Sequence, residues 1–334
     1  MGIGWGIVGT GGHADKVMAP AITSVEGARL VGATSRDRSR AEDFVARHGG
    51  GRAWTDYGQM LADSEVEAVL ITTPNRFHTE QIVAAARAGK HVLCDKPMAM
   101  NSAEAVCSIQ ECRRADVRLG VNFQMRHTAW AQWAQELIRS GALGDVLAIQ
   151  AEQASGGVGF KGWRADPTLA GLGSVNNIGV HLFDLLRFLA GSEVTEVTAM
   201  FDTGRSGELE KLALTLLRFE SGTLAYVNCN QAIVHRQNDI DIYGSAGRIL
   251  GVNLSRHAQD GELRVTTAEG EKVIPESTHD SFRRSIEDFA RAVAEHRDPL
   301  ASGLDGLRSV EITGAIATSA REGRVVEVVR TAVA

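Results

Sequence analysis

Short apolar runs alternate with amphipathic stretches through the first third of the chain. The runs at Gly4–Val8, Ala28–Thr34, Ala68–Thr72, His91–Cys94 and Val117–Val121 read as strands, and the periodicity between them predicts helices over Ala14–Val25, Arg38–His48, Asn75–Ala88 and Ala103–Ala115. Strands alternating with helices give a parallel sheet with right-handed crossovers and helices on both faces. This is a doubly wound α/β domain of the Rossmann type, whose ligands lie at the carboxyl ends of the strands.

The rhythm changes after about Asn122. A helix over Thr128–Arg139 precedes a Gly-rich segment, Ser155–Gly173, and a helix over Val180–Leu189. Long strand-like runs follow at Val194–Phe201, Leu209–Phe219, Thr223–Gln231 and Asp239–Tyr243, with Ser221-Gly222 placed as a hairpin turn. Strands in succession without helices between them imply a large open, mostly antiparallel sheet. Helices over Asp280–Glu295 and Leu304–Arg321 and a short strand over Arg324–Val329 complete the pattern. The expected organisation is a dinucleotide-binding domain over 1–122 and an α+β substrate-binding and oligomerisation domain over 123–334.

The 334 residues are 44% hydrophobic and 23% charged, and 35 Lys+Arg against 41 Asp+Glu give a net charge of −6. That length suits two domains, and the absence of a dense basic block argues against nucleic acid as a partner. No apolar run is long enough to span a bilayer. The start, Met1-Gly2-Ile3-Gly4-Trp5, has neither a basic head nor an apolar signal segment, so a cytoplasmic enzyme is expected. Cys94, Cys107, Cys112 and Cys229 form no Cys-x-x-Cys pair and have no zinc spacing. They read as buried, reduced thiols, and no metal site is expected.

Gly9-Thr10-Gly11-Gly12-His13-Ala14 follows the first strand and opens a helix. In a Gly-x-Gly-x-x-Ala loop the first glycine permits the tight turn and the second lets a pyrophosphate approach the backbone. The small last residue allows close helix–strand packing, with the helix N-terminus facing the anion. Where an NAD enzyme carries an acidic residue at the end of the second strand, this chain has Ser35-Arg36-Asp37-Arg38-Ser39-Arg40. A hydroxyl with the guanidinium groups of Arg36 and Arg40 suits a 2′-phosphate, so NADP(H) is expected over NAD(H). Asp37 reads as a helix cap.

Three further segments carry a resemblance: Ile71-Thr72-Thr73-Pro74-Asn75-Arg76-Phe77-His78, Gly89-Lys90-His91-Val92-Leu93-Cys94-Asp95-Lys96-Pro97 and Asn177-Ile178-Gly179-Val180-His181-Leu182-Phe183-Asp184. Together with the glycine loop they resemble the glucose-fructose oxidoreductase/inositol dehydrogenase (Gfo/Idh/MocA) family over essentially the whole chain. Within it, Ser35-Arg36 and Gly162-Trp163-Arg164 look most like its NADPH-dependent carbonyl reductases. The resemblance implies that Lys96 lies near the nicotinamide and the substrate oxygen, with Asp95 where Glu is usual and a cis Pro97 fixing the lysine's direction. An ammonium there can polarise a carbonyl and stabilise the alkoxide that hydride transfer creates.

The family's second element is an Asp, three residues, then His; here it is Asn177, three residues, then His181. Positions i and i+4 of a helix share a face, and His181 can serve as general acid–base. Asn177 can orient a substrate, but an amide cannot titrate or hold a full charge. The resemblance also puts the cofactor's ribose and nicotinamide near Thr73, Pro74, Asn75 and His78, and Asn122 beside the nicotinamide. Arg126 reads either as a substrate contact or as one half of a surface ion pair. Trp163 and Arg164 suit a cofactor or substrate contact, an indole stacking on a sugar face and an Arg binding oxygens, with core packing as the competing reading for Trp163.

The expected function is a two-domain NADP(H)-dependent oxidoreductase acting on a sugar, polyol or related small molecule, assembled as a homodimer or homotetramer through the C-terminal sheet. Two other readings stand beside it, the first because of Asn177. One is a non-catalytic NADP(H)-binding regulator, and the other is a redox-neutral glycosidase-type enzyme that retains its cofactor.

Overall fold

The computed structural model describes residues 2–156, 159–203, 209–235 and 237–333, so residues 157 and 158 of the Gly-rich segment lie outside the described residues. The chain divides into two compact units, one of residues 1–122, 282–307 and 331–334 and the other of 123–281 and 308–330.

The first unit is built on six parallel strands, β1 (Gly4–Val8), β2 (Arg29–Thr34), β3 (Arg52–Trp54), β4 (Ala68–Ile71), β5 (His91–Cys94) and β6 (Leu119–Val121), in the order β3-β2-β1-β4-β5-β6. β1 and β4 are buried at every position, as central strands covered on both faces must be. The order reverses between β1 and β4, so the loops that leave these two strands open the crevice where such sheets bind ligands. The three-residue β3 and the helix Tyr57–Ala62 are absent from the sequence reading. Both are too short to show a period.

The compact units differ from the expected division in two segments, residues 282–307 and the C-terminal residues from 331. Residues 282–307, read as part of the C-terminal domain, pack in the first unit. Phe282, Ile286 and Phe289 form the apolar stripe of the helix Ser281–Ala294 and are buried with Trp5, Met18 and Leu93. The Phe289 ring centroid lies 5.3 Å from that of Trp5. Residue 120 is a glycine because an added Cβ would stand 2.9 Å from the Phe289 ring.

The second unit carries a nine-stranded sheet of β7 (Val146–Ala154), β8 (Val194–Phe201), β9 (Leu212–Phe219), β10 (Leu224–Asn230), β11 (Ile240–Gly244), β12 (Gly247–Val252), β13 (Asp260–Thr267), β14 (Gly270–Ser277) and β15 (Val326–Glu327). Its order is β14-β13-β12-β11-β7-β10-β9-β8-β15, and every neighbouring pair is antiparallel except β7 with β10. Ser221-Gly222 does turn the β9–β10 hairpin, with Gly222 at φ +90. The helix Val180–Ala190 packs over β7, and every one of its residues but the last is buried.

The sheet's two faces differ. On β9, Ala213, Thr215, Leu217 and Phe219 are buried while Leu214 and Leu216 are exposed. Cys107 is exposed, correcting its expected burial; Cys94, Cys112 and Cys229 are buried, and burial pushes the Cys112 thiol up to about 12. Among the described residues no helix is long and apolar enough to cross a membrane.

Candidate active site

In the first unit β1 ends at Val8 and the chain turns through Gly9, whose φ of +94 lies where a side chain is strained. A Cβ there would also come within 3.2 Å of the Thr73 methyl and 3.3 Å of the Thr72 carbonyl. At Gly11 and Gly12 the opposite holds, since an added Cβ would meet nothing within 4 Å. That open space lies at the start of a helical run over residues 12–23, π-type over Ala14–Met18, whose first backbone N–H groups have no partner within the helix. The Thr10 hydroxyl is buried with no hydrogen-bond partner among the described residues. A turn, an uncovered backbone and an unspent hydroxyl at a helix N-terminus fit a dinucleotide pyrophosphate. His13 stands beside this loop, its ring edge-on to Phe282 at 5.4 Å.

At the end of β2, Asp37 caps the helix Arg38–Arg47 by accepting from the Arg40 N–H at 3.3 Å, and the Asp37 N–H donates to Ser35 Oγ at 3.3 Å. Arg38 pairs with Glu42 at 3.0 Å. The guanidinium groups of Arg36 and Arg40 are exposed and make no ion pair among the described residues.

At the end of β5 the main chain is fixed around Lys96. The Asp95 N–H donates to Ile71 O at 2.9 Å, and Asp95 Oδ1 accepts from the Lys96 N–H at 3.0 Å. Asp95 Oδ2 lies 3.8 Å from His13 Nε2. Burial raises the Asp95 carboxyl, but His13, Lys96, His78 and the Lys96 N–H together outweigh it and hold the group below its ordinary value. The Lys96–Pro97 peptide is cis, and Lys96 itself is half-buried.

His78 opens the helix that follows the β4 loop. It is fully buried, with Nδ1 2.8 Å from Pro97 O and Nε2 2.9 Å from Thr73 O. Both ring nitrogens face backbone carbonyls, and the single N–H of the neutral ring, which burial favours, can serve one of them, so His78 ties the Lys96 loop to the loop after β4. Thr73 Oγ1 donates to Gln81 Oε1 at 2.6 Å, and Pro74 leads into a short turn, Asn75–Phe77, where Asn75 is buried. Asn122 is buried too, with its N–H on Cys94 O at 2.8 Å, Nδ2 3.4 Å from Met18 Sδ and Oδ1 accepting from Ser285 Oγ at 3.5 Å. Gln81, Phe282 and Ser285 escaped the sequence reading. Nothing in their local pattern sets them apart, and Ser285 stands 163 residues from Asn122.

In the second unit Asn177 lies in a π-type turn, Val175–Gly179, which runs straight into the helix Val180–Ala190 that carries the buried His181. π-type turns are rare and recur at functional sites. Arg164 Nε donates to Asn177 Oδ1 at 3.3 Å, and the Arg164 guanidinium lies 4.4 Å over the half-buried Trp163 ring. A guanidinium only donates, so Asn177 turns its carbonyl to Arg164 and its N–H groups the other way. Asn176 Nδ2 donates to Ala170 O at 3.0 Å, fastening the same turn to the segment after Arg164.

Arg126 forms an ion pair, but a buried one and not one at the surface. It is 6% exposed, and Nε and one terminal nitrogen grip the two oxygens of Asp184, each at 2.7 Å.

The description "Oxidoreductase family, NAD-binding Rossmann fold" matches residues 3–123, and the Gfo/Idh/MocA C-terminal domain matches residues 131–250. The chain is 29% identical to 1,5-anhydro-D-fructose reductase of Ensifer adhaerens, over 97% of this chain and 98% of that one. It is 30% identical to D-xylose 1-dehydrogenase (NADP(+)) 2 of Haloferax volcanii, over 97% and 99%. Among solved structures, the aldose-aldose oxidoreductase of Caulobacter crescentus superposes with a TM-score of 0.90 at 28% identity, over 98% of this chain and 100% of that one. With the glycine loop, the cis Lys96–Pro97 and the His181 helix in one chain that both domain descriptions match, this protein belongs to the Gfo/Idh/MocA family of oxidoreductases.

Proposed function

We propose that the chain exchanges a hydride between NADP(H) and a carbonyl or hydroxyl carbon of a sugar, polyol or related small molecule. The observation that carries this reading is Lys96, half-buried at the carboxyl edge of the parallel sheet, with its main chain fixed by Asp95 and, at Pro97, by His78. A bound nicotinamide supplies or accepts the hydride. Lys96 donates to the substrate oxygen and stabilises the negative charge that develops on it. His181 serves as general acid–base, giving a proton in reduction and taking one in oxidation. Asn177, held through its carbonyl by Arg164, orients the substrate without carrying charge. The sugars in the names of the relatives from Ensifer adhaerens and Haloferax volcanii support the substrate class.

The preference for the phosphorylated cofactor rests on Ser35 and on the exposed guanidinium groups of Arg36 and Arg40, which make no ion pair among the described residues. Removing one charge-assisted contact costs about 1.5–3 kcal/mol. Arg36→Ala is therefore expected to weaken NADPH binding by about 10–100-fold and to leave NADH within about twofold, read by fluorescence titration. Equal affinities in the parent protein would overturn the assignment. Cofactor binding without turnover of D-xylose, myo-inositol or 1,5-anhydro-D-fructose would favour the regulator, which Asn177 keeps open. Turnover without net absorbance change on a retained cofactor would favour the redox-neutral enzyme.

The outer sheet face supports a homodimer or homotetramer. Met200 is 73% exposed, Leu216 57% and Leu224 48%, and they stand on adjacent strands beside Leu214. Contiguous apolar surface of this kind marks an interface. Leu216→Glu is expected to convert the assembly to monomer in sedimentation equilibrium; a parent protein that is already monomeric would refute the interface.

A further inference from the structure

Glu210 has no role in the reading above, yet it is 1% exposed and spends its whole carboxylate on one turn of backbone. Oε2 accepts from the Gly173 N–H and Oε1 from the Val175 N–H, each at 2.9 Å. Between them, the Ser174 N–H donates to the Glu210 carbonyl at 2.8 Å and Ser174 Oγ to the Lys211 carbonyl at 2.7 Å. The chain approaches so closely that a Cβ on Gly173 would fall 2.1 Å from Glu210 O. At the other end of the turn Gly179 presses on β10, where an added Cβ would lie 2.9 Å from Cys229 Sγ. The Asn177 N–H closes the turn onto Gly173 O at 2.9 Å.

A buried carboxylate is costly unless its charge is answered. Here the answer is the N-terminus of the helical run over residues 174–190, two N–H donors and the positive end of the helix together. Burial pushes the Glu210 carboxyl up and the two N–H donors pull against it. A neutral side chain of the same shape would fill the space but could not accept from both N–H groups, because one arm of an amide is itself a donor.

We propose that Glu210 is a positioning residue, whose carboxylate sets the turn from which Asn177 and His181 project. This rests on the site roles proposed above for those two residues. Fixing that turn matters because a displacement of about 1 Å in a reacting group costs on the order of 100-fold in rate.

The test is Glu210→Gln, with Ser174→Ala as a milder second variant that removes the Ser174 Oγ bond to Lys211 O. Three readouts are taken on the full-length protein. They are amide hydrogen exchange over residues 173–179, the titration midpoint of the His181 ring by NMR (assigned with His181→Gln), and kcat and KM with NADPH and whichever of D-xylose, myo-inositol and 1,5-anhydro-D-fructose is turned over. For Glu210→Gln, exchange over 173–179 should rise, the His181 midpoint should move while that of exposed His279 stays, and kcat should fall about 10–100-fold with NADPH affinity unchanged. Ser174→Ala should move the same quantities in the same direction, by about two- to fivefold in kcat. Unchanged exchange and an unchanged His181 midpoint in Glu210→Gln would overturn the proposal. So would a kcat that falls only in step with global stability. If Glu210→Gln does not fold, the Ser174→Ala readouts decide in the same way. If the parent protein turns over none of these compounds, the functional reading fails while the exchange and titration readouts still judge the clamp.

Discussion

Lys96→Met is expected to lower kcat by about 10²–10³-fold, with NADPH affinity changed by less than about threefold. The side chains have similar length and fill similar space, so the loss reports the ammonium and not the packing. The main chain under that ammonium is held by bonds that do not involve it: Asp95 N–H to Ile71 O, Lys96 N–H to Asp95 Oδ1, and His78 Nδ1 at Pro97 O. The loop should therefore keep its course in the variant, and the glycine loop, which holds the cofactor phosphates in this reading, is untouched. The nearby Asp95 carboxyl, kept below its ordinary value chiefly by His13 and Lys96 against burial, is a carboxylate at neutral pH. That charge favours the protonated lysine. Lys96→Arg should not rescue the activity, because a planar fork on a longer arm cannot put a compact charge at the same point. A Lys96→Met protein that kept a tenth of the parent kcat would remove Lys96 from the reaction.

What could be read ahead of the structure followed burial. β1 and β4 are central and covered on both faces, so their apolar runs announced them, and the glycine loop between β1 and its helix was visible because backbone conformation leaves only glycine at Gly9. β14 went unread for the converse reason: it shows no buried position, and its sequence, Gly-Glu-Lys-Val-Ile-Pro-Glu-Ser, has no apolar face to betray it. Lys96 and His181 were singled out through motifs local to each. Glu210 was not, because in Gly207-Glu208-Leu209-Glu210-Lys211 it reads as one more solvated charge. Only the chain's return brings it under residues 173–175. Arg126 was seen, and an ion pair was one reading of it, but the burial of that pair was not legible, since its partner Asp184 stands 58 residues later. A pairing fixed by topology leaves no trace in spacing.

That pairing sets the largest expected effect on stability. Asp184→Ala is expected to destabilise the second unit by about 3–5 kcal/mol, because it removes from the buried Arg126 guanidinium the carboxylate that accepts two of its N–H groups. Asp184 is 1% exposed; Arg126 takes both of its oxygens at 2.7 Å, and Arg187 stands 3.7 Å away. Arg187 keeps a second partner, Glu193, with bonds of 2.7 and 2.6 Å. Arg126 keeps its stacking on Phe188, at 5.4 Å, which offers its charge far less than a carboxylate does. The penalty should therefore fall on Arg126. Adding Arg126→Met to Asp184→Leu should return most of the loss, since replacing a buried pair by apolar groups is often neutral. Arg330→Ala is the control: its pair with Glu220, at 3.1 and 3.2 Å, is exposed, and its loss should cost less than about 1 kcal/mol. Urea unfolding followed by a probe in the second unit separates these outcomes. An Asp184→Ala midpoint no lower than that of Arg330→Ala would mean that water reaches Arg126 and that the network beneath the His181 helix is not dry.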